Sequence, residues 1–197
     1  MSKVTCDISA SLDGFVAGPH QSLENPLGEG AEGPLHRWMF ERPEANAEAI
    51  EGITDAGAFI MGRNMFTPGR GDWDLEWTGW WGDEPPYHAP VFVLTHHERE
   101  PLTMKGGTTF NFVTEGIEAA LERARAAAGD RNVAIAGGAR TVNQYLAAGL
   151  IDELRLHVAP VVLGKGERLF EDVGDLELEP VSVAGTNLVT HVTYRAR

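Results

Sequence analysis

The chain has 197 residues, of which 43% are hydrophobic and 23% are charged, as expected for one globular domain. Its 29 acidic and 16 basic residues give a net charge of −13, which argues against general nucleic-acid or anionic-membrane binding, because both need a basic face. The single cysteine, Cys6, excludes an internal disulfide and a thiolate zinc site. No apolar run approaches the ~18 residues that cross a bilayer. No signal-peptide core follows Met1, so we expect a cytoplasmic protein.

Taken in chain order, strand and helix signals alternate and then give way to strands alone. Apolar or alternating stretches predict strands at residues 4–12, 58–61, 91–94, 109–113, 133–136, 153–163, 181–185 and 188–195. Helical spacing predicts helices near residues 35–39, 45–52, 115–128 and 140–148, with Thr114 as the cap of the third. Two long aperiodic loops, over residues 20–34 and 67–90, complete the chain, and the second holds four of the five tryptophans.

This order predicts an α/β fold. Strands that are apolar at every position, such as 91–94 and 133–136, are typical of parallel strands covered on both faces. The alternating segment 188–195 predicts an antiparallel hairpin with one wetter face. We therefore expect a single domain over residues 1–197, with a central, mostly parallel sheet flanked by helices and an antiparallel C-terminal hairpin.

Three of the predicted strands end in residues suited to an anion. In open α/β sheets ligands bind beyond the C-terminal ends of the strands. The three ends read Gly62-Arg63-Asn64, Thr95-His96-His97 and Gly137-Gly138-Ala139-Arg140-Thr141. The diglycine lets the backbone approach a phosphate, and the following helix start offers free N–H groups. Taken one at a time, the diglycine is equally well explained as a tight turn and Arg63 as a surface cation. Only the shared position of the motifs at strand ends favours a nucleotide phosphate site.

Six motifs, in order along the chain, carry a family resemblance. They are SLDGFVA at 11–17, MGRNMF at 61–66, VLTH at 93–96, AGGA at 136–139, LIDEL at 150–154, and PVVLGKG at 160–166 with Leu169-Phe170. Together they resemble the riboflavin-biosynthesis reductase-like family of the dihydrofolate-reductase-like superfamily, a domain also found as the C-terminal half of bifunctional deaminase–reductases. The resemblance implies a dihydrofolate-reductase-like fold and an NADPH-dependent reductase.

The resemblance also implies where the cofactor binds. The cofactor-binding residues would be Ala10, Ala17, Gly62, Arg63, Asn64, Thr95, His96, Gly137, Gly138, Ala139, Arg140 and Thr141. Of these, Ala10 and Ala17 would flank the nicotinamide, and Thr95 and His96 would lie near the adenosine ribose and its 2′-phosphate. A cation beside a hydroxyl residue suits a 2′-phosphate better than a bare hydroxyl, which favours NADPH over NADH.

The sequence gives fewer indications of the residues that contact the substrate. Asp13 is the candidate catalytic residue, as a substrate-contacting or proton-relaying acid, with a turn residue as the alternative. His36 and Trp38 are the candidate substrate-binding residues, and the alternative for Trp38 is a core position. No carboxylate of the segment 41–48 matches the pterin-binding acid of a dihydrofolate reductase. The tryptophans of residues 73–81 suggest a stacking lid, an oligomer contact or simple packing.

We therefore predict a reductase that transfers hydride from NADPH to a C=N or C=O group of a small heterocyclic or ribosylamino-pyrimidine-type substrate, similar to 5-amino-6-(5-phosphoribosylamino)uracil reductase. The alternatives are a dihydrofolate reductase proper and a non-catalytic NADPH-binding module. The resemblance implies a homodimer. We expect no metal, because His88, His96 and His97 lack a carboxylate at a defined spacing. With one cysteine, the zinc deaminase half of the bifunctional enzymes is excluded.

Overall fold

A nine-stranded sheet forms the centre of the computed structural model, which describes residues 2–31 and 33–196. The predicted loop 20–34 thus includes one residue outside the described ranges, and the predicted domain 1–197 includes three. The strands are β1 Val4–Ser11, β2 Phe15–Ala17, β3 Ala58–Gly62, β4 Pro90–Leu94, β5 Leu102–Thr103, β6 Thr109–Val113, β7 Val133–Gly137, β8 Glu153–Ala159, β9 Glu167–Arg168, β10 Leu178–Gly185 and β11 Thr190–Ala196. The helices are α1 Arg37–Glu41, α2 Ala47–Thr54, α3 Arg63–Phe66, α4 Ile117–Ala128 and α5 Ala139–Ala147, with 3₁₀ turns at Glu44–Asn46 and Lys105–Gly107.

The sheet order is β10-β11-β8-β1-β7-β3-β4-β6-β5. The six strands from β8 to β6 in this order run parallel, β5 and β11 run antiparallel to them, and β10 pairs antiparallel with β11. A two-stranded sheet of β2 and β9 lies apart from it. The predicted α/β fold with a mostly parallel sheet and an antiparallel C-terminal hairpin is confirmed.

Two local predictions are wrong. Helix α4 begins at Ile117 with Gly116 as its N-cap, and Thr114 instead donates its N–H and hydroxyl to the carboxylate of Glu115. The strand predicted over residues 153–163 ends at Ala159, because Pro160 follows and has no N–H for the sheet ladder. Helix α3 and the β2–β9 pair are too short to give a periodic signal in the sequence.

Alternation along the strands sends side chains to two different layers. On one face, apolar residues of β1, β7 and β8 pack under α4 and α5. On the other face, β3, β4 and β6 pack against residues of the tryptophan-rich loop 67–90, including Trp73, Trp77 and Trp81. Part of that second face lies under α1, where Trp38 is fully buried. No helix among the described residues is long and apolar enough to cross a membrane.

Candidate active site at the strand ends

The C-terminal ends of β7, β3 and β4 lie side by side. Met61 pairs with Gly137 of β7, and Gly62 pairs with Leu94 of β4. Helix α5 packs so closely over this edge that a Cβ atom added to Gly62 would lie 2.3 Å from the Oγ1 atom of Thr141. The structure thus brings together the three segments that the sequence singled out for an anionic ligand.

The diglycine after β7 leaves the start of α5 open. The Gly137-Gly138 peptide is cis, and Gly137 has a φ of +128°, a value that side-chain-bearing residues rarely adopt. A Cβ added to Gly138 would meet nothing within 4 Å, and no side chain caps α5. The first amides of the helix, on Ala139 and Arg140, are therefore available to an anion. The Arg140 side chain is exposed and lies 3.7 Å from Glu167.

Arg63 provides the charge nearest to the end of β3. Its guanidinium stacks on Trp73 at 4.0 Å and donates from Nη2 to the carbonyl of Asp72 at 3.3 Å. Its buried Nε has no partner within the protein. Burial lowers the pKa of Arg63, and the neighbouring cations Arg70 and Arg99 add to that shift. A half-buried cation whose neighbours include two further cations beside the acidic Asp72 suits a bound anion.

The end of β4 is a compact turn. Thr95 is buried, and its hydroxyl oxygen accepts the N–H of His97 at 3.1 Å. His96 is exposed, and His97 lies 3.9 Å from Asp72. Asn64 follows Arg63 in α3 and is half-buried. These side chains lie along the same edge as Arg63, as the sequence suggested.

The tryptophan-rich loop packs against this edge. Trp73 donates its indole N–H to the carbonyl of His97, and Trp77 donates to the carbonyl of Phe66. Arg99 holds the loop from the other side by donating to the carbonyls of Leu75 and Trp77. Of the three readings left open by the sequence, these bonds favour packing for Trp73 and Trp77. Arg99 was missed, because nothing in its local sequence indicates that it lies within 6 Å of three aromatic rings.

A separate open groove of about 600 Å³ lies beside the end of β6. Its charged lining residues are Glu98, Arg99, Glu100, Glu115 and Arg123. With more acidic than basic side chains, and with Arg123 paired to Glu115, this groove suits an anion less well than the glycine-lined ends of β3 and β7. Among the described residues, no group of three or more His, Cys, Asp or Glu side chains could hold a metal ion.

At the end of β1, Asp13 is saturated with hydrogen bonds. Its carboxylate accepts from the hydroxyl of Ser11 at 2.6 Å and from the N–H groups of Leu163 and Gly164 at 3.1 and 2.7 Å. The hydroxyl of Ser11 and these backbone donors lower the pKa of Asp13 to about 2. These hydrogen bonds are those expected of a residue that holds a turn. At neutral pH the ionised carboxylate of Asp13 can accept a proton but has none to donate. A catalytic role for Asp13 stays a prediction.

The remaining predicted residues lie close to the end of β1. Ala10 is buried on the α4–α5 side of β1, and Ala17 is buried in β2, where it pairs with Glu167. Trp38 is fully buried and donates its indole N–H to the hydroxyl of Ser9 at 3.3 Å. His36 is half-buried just before α1, and its Nδ1 has no partner. Contact of His36 or Trp38 with substrate stays a prediction.

Comparison with known proteins identifies the family. Residues 2–191 match the model of the RibD C-terminal domain.

The chain belongs to the RibD C-terminal domain family.

Relatives of this RibD C-terminal domain include a Bacillus subtilis protein, YyaP, which is 24% identical over 87% of this chain and 81% of its own length and is described as uncharacterised. Among solved structures, a putative riboflavin biosynthesis protein from Shewanella sp. PV-4 is 22% identical, with a TM-score of 0.67 over 99% of both chains. The riboflavin biosynthesis reductase Rib7 of Saccharomyces cerevisiae is 14% identical, with a TM-score of 0.61 over 100% of this chain and 90% of that chain.

The fold of the RibD C-terminal domain is dihydrofolate-reductase-like. Dihydrofolate reductase from Enterococcus faecalis, in complex with NADP(H), has a TM-score of 0.54 with 17% identity over 98% of this chain and 96% of that chain. The chain thus shares its fold with the riboflavin biosynthesis reductase Rib7 and with a dihydrofolate reductase.

A second group of residues in this RibD C-terminal domain was missed by the sequence reasoning. Asp7 of β1 and His157 of β8 lie on adjacent strands and are both buried, and His191 of β11 contacts His157. A signal was present in β1, where Thr5, Asp7, Ser9 and Ser11 place a polar side chain at every second position of a strand whose residues are mostly buried. The alternation in β1 does not show which residues Asp7 contacts, because those residues come from strands far away in the sequence.

Proposed function

We propose that this chain is an NADPH-dependent reductase that transfers hydride to a C=N or C=O group of a ribosylamino-pyrimidine-type substrate. The observation that carries the proposal is the edge formed by β7, β3 and β4, where glycine backbone, an uncapped helix start and a half-buried arginine lie together. Such an edge suits the phosphates of a dinucleotide, because it offers backbone donors and a cation at close range.

The residues present fit the cofactor. The amides at the start of α5 and the space above Gly138 would hold the pyrophosphate. The partnerless Nε of Arg63 is a donor that a phosphate oxygen would satisfy. Thr95 and His96 would lie near the adenosine ribose and its 2′-phosphate, with Ala10 and Ala17 on the nicotinamide side. NADPH, when bound, supplies the hydride.

The chain's own task is then to orient the acceptor and to manage one proton. Reduction of a C=N or C=O group adds hydride to carbon and a proton to nitrogen or oxygen, so the site must supply that proton from a side chain or from water. The ionised Asp13 is suited to accept a hydrogen bond from the substrate or to hold the turn that carries Leu163 and Gly164. Membership of the RibD C-terminal domain family supports the pyrimidine class of substrate.

The test is to measure binding and turnover with the purified chain. We expect NADPH to bind at least about 10-fold more tightly than NADH, because a 2′-phosphate adds charge-assisted hydrogen bonds of roughly 1.5–3 kcal/mol. NADPH oxidation should depend on added 5-amino-6-(5-phosphoribosylamino)uracil. Equal dissociation constants for the two cofactors would contradict the NADPH assignment.

Two alternatives have their own outcomes in the same experiment. Turnover of dihydrofolate, with inhibition by antifolates, would indicate a dihydrofolate reductase proper. Against it, Glu41, on the helix where a pterin-binding carboxylate would lie, is exposed and paired with Arg37. Binding of NADPH without its oxidation across pterins and ribosylamino-pyrimidines would indicate a non-catalytic module.

A homodimer remains part of the proposal. Its support is the resemblance, together with strand β10, which ends the nine-stranded sheet and exposes Val181 and Val183. Sedimentation of the purified chain tests it, and a monomer at micromolar concentration would contradict it.

A further inference from the structure

The outer edge of the sheet at β6 is only partly covered. Strand β5 is two residues long, and it pairs Leu102 with Phe110 and Thr103 with Thr109. The residue before β5 is Pro101, which has no N–H to continue the ladder. Residues 111–113 of β6 therefore have β4 on one side and no strand of the described chain on the other.

The hydrogen bonds around β6 show which backbone groups face this open side. In a paired strand the N–H and C=O of one residue point to the same side, and successive residues alternate. The carbonyl of Val113 accepts the N–H of Thr95, so Val113 faces β4. Thr108 faces the other side, because its carbonyl accepts the N–H of Met104. By this alternation the N–H and C=O of Phe112 also point to the open side.

The open part of the edge is one residue long. If β5 were two residues longer, Glu100 would lie opposite Phe112, because Leu102 lies opposite Phe110. Within the described ranges, no backbone hydrogen bond joins Phe112 to Glu100. The next residue with outward-facing groups is Thr114, and its N–H donates to the carboxylate of Glu115 at 3.0 Å. Phe112 is therefore left with one donor and one acceptor at the edge.

The groove of about 600 Å³ lies at this open edge. Asn111 and Phe112 line it from β6, and the segment 98–101 lines it from the chain that leads into β5. The groove is thus the space between the open edge and the segment that leaves it. Its volume is within the range of roughly 300–1,000 Å³ that is typical of ligand-binding pockets.

The charge that the groove offers to a ligand is acidic. Glu115 is already paired with Arg123. The guanidinium of Arg99 is held by backbone carbonyls and aromatic rings around the tryptophan-rich loop 67–90. Glu98 and Glu100 are exposed, and the described part of the chain gives them no ion-pair partner. These two carboxylates are the free charges of the groove.

We propose that the groove beside β6 binds an extended, basic segment of another protein, which joins the edge of the sheet at Phe112 and lies beside Glu98 and Glu100. An extended segment fits, because each of its residues offers the acceptor and the donor that complement those of Phe112. The groove lies apart from the glycine-lined strand ends, so this inference goes beyond the proposed reductase function and does not depend on it.

The charges favour a basic partner over a second copy of this chain. A second copy would bring a net charge of −13 and its own glutamates to the groove, and like charges placed together oppose binding. A basic segment would place its cations beside Glu98 and Glu100, which favours association and sets specificity. The backbone bonds at Phe112 would supply the register, as in other complexes that extend a sheet.

The open edge is tested first, on the wild-type chain without ligands. Amide hydrogen exchange followed by NMR should be at least about 10-fold faster for Phe112 than for Asn111, whose groups face β4. The measurement needs no variant, so it gives an answer whatever the effect of a substitution on folding. Slow exchange at Phe112 would overturn the proposal, because the edge would then be closed already.

Binding is tested with the synthetic peptide Ac-Lys-Val-Thr-Val-Lys-NH₂. We expect a dissociation constant below about 1 mM, with a shifted amide signal and slower exchange at Phe112. The same peptide N-methylated at its three central residues cannot pair with a strand and should bind at least about 10-fold more weakly. A peptide with glutamate in place of both lysines should lose a similar factor. Equal affinity of the three peptides, or no binding at about 5 mM, would overturn the proposal.

The role of the two glutamates is tested with Glu98→Gln combined with Glu100→Gln. This variant should bind the lysine peptide about 5-fold more weakly at low salt, and the difference from the wild type should shrink at high salt. The matched control is Glu48→Gln combined with Glu51→Gln, which removes two exposed carboxylates from α2, away from the groove. The control variant should bind as the wild type does, and equal losses in the two variants would contradict the assignment to Glu98 and Glu100.

Two further measurements separate this site from the other uses of the molecule. Saturating NADPH should change the affinity for the lysine peptide by less than about twofold, and competition would place the groove in the cofactor site and overturn the proposal. A dimer that the peptide dissociates in sedimentation would show that a second copy occupies the groove, which would also overturn it. Peptide binding without NADPH binding or turnover would refute the proposed function and leave this site in place.

Discussion

The strand-end edge has two halves that are built differently. At β3 and β7 the strands end in glycine, α5 has no capping side chain, and Nε of Arg63 has no partner. At β1, in contrast, the Asp13 carboxylate accepts three hydrogen bonds, and its carbonyl accepts one from Arg168. One half offers donors to a ligand, and in the other the polar groups of Asp13 are satisfied internally.

This difference separates binding groups from scaffold. Buried polar groups in folded proteins are nearly always satisfied, so those that are not mark the places where a ligand completes the structure. By this criterion the partnerless Nε of Arg63 marks the β3–β7 half as the place where the proposed cofactor would bind, and the partnerless Nδ1 of His36 marks a second such place near the end of β1.

The largest effect on cofactor affinity is expected from Arg63→Ala. Losing a charge-assisted phosphate donor should weaken the binding of both NADPH and NADH about 10- to 100-fold, because both carry the pyrophosphate. Titration calorimetry with both cofactors measures this. Arg131→Ala removes an exposed arginine that pairs with Asp55 before β7, at the other end of the strands, and should leave both affinities unchanged. Unchanged affinities in Arg63→Ala would place Arg63 away from the cofactor phosphates.

Gly62→Ala should have the next largest effect, because the added methyl group would press against α5. The new Cβ would lie 2.3 Å from Oγ1 of Thr141, and overpacking of this kind costs about 1–3 kcal/mol. We expect a lower midpoint of urea unfolding and NADPH binding weakened about 10-fold, since the start of α5 moves.

The matched control is Gly62→Ala combined with Thr141→Ala. The nearest remaining atom is then Cβ of residue 141, at 3.6 Å from the new Cβ, which is an ordinary contact. Stability should return towards that of the wild type. A single Gly62→Ala variant as stable as the wild type would show that α5 does not pack as closely as described.

A smaller effect is expected from Arg140→Ala. The Arg140 side chain is 82% exposed and lies 3.7 Å from Glu167, so solvent screens its charge. NADPH binding should weaken about 2- to 5-fold, and the loss should shrink at high salt. A loss as large as that of Arg63→Ala would show that Arg140, rather than Arg63, dominates phosphate binding.

The smallest effect on the cofactor is expected from Asp13→Asn, in the other half of the edge. NADPH affinity should change by less than about twofold, but the N–H groups of Leu163 and Gly164 lose a charged acceptor. Their amide hydrogen exchange should accelerate, while that of core strands stays constant.

Asp13 should also give the wild type a specific acid dependence. Its pKa is lowered to about 2 from an ordinary value of 3.8, so the ionised carboxylate stabilises the folded turn above about pH 4. This contribution is lost as pH falls from about 4 towards 2. Protection of Leu163 and Gly164 should fall over that range in the wild type and not in Asp13→Asn, and identical profiles would show that Asp13 does not hold the turn.

The sequence was most informative where a local rule applies. Fully apolar segments such as Val91–Leu94 predicted parallel strands, and the diglycine with its helix predicted a phosphate site at the end of β7. Prediction from the sequence failed where the deciding contact joins residues that are distant in the sequence. Thr114 has the chemistry of a helix cap, but the chain turns at Gly116, and Arg99 gives no signal until loop 67–90 packs on it.

The sequence by itself determined the fold class and the family, and it predicted the three strand ends that we propose as an anion site, because alternation, glycine and charge act over a few residues. Only the tertiary structure decided that Asp13 is held by Leu163 and Gly164, and that Asp7 meets His157, which in turn contacts His191 beneath α1. The reason is physical. Pairing β1 with β8, and β8 with β11, brings together residues about 150 and 185 positions apart, and the environment of a buried polar group depends on those neighbours rather than on the residues beside it in the chain.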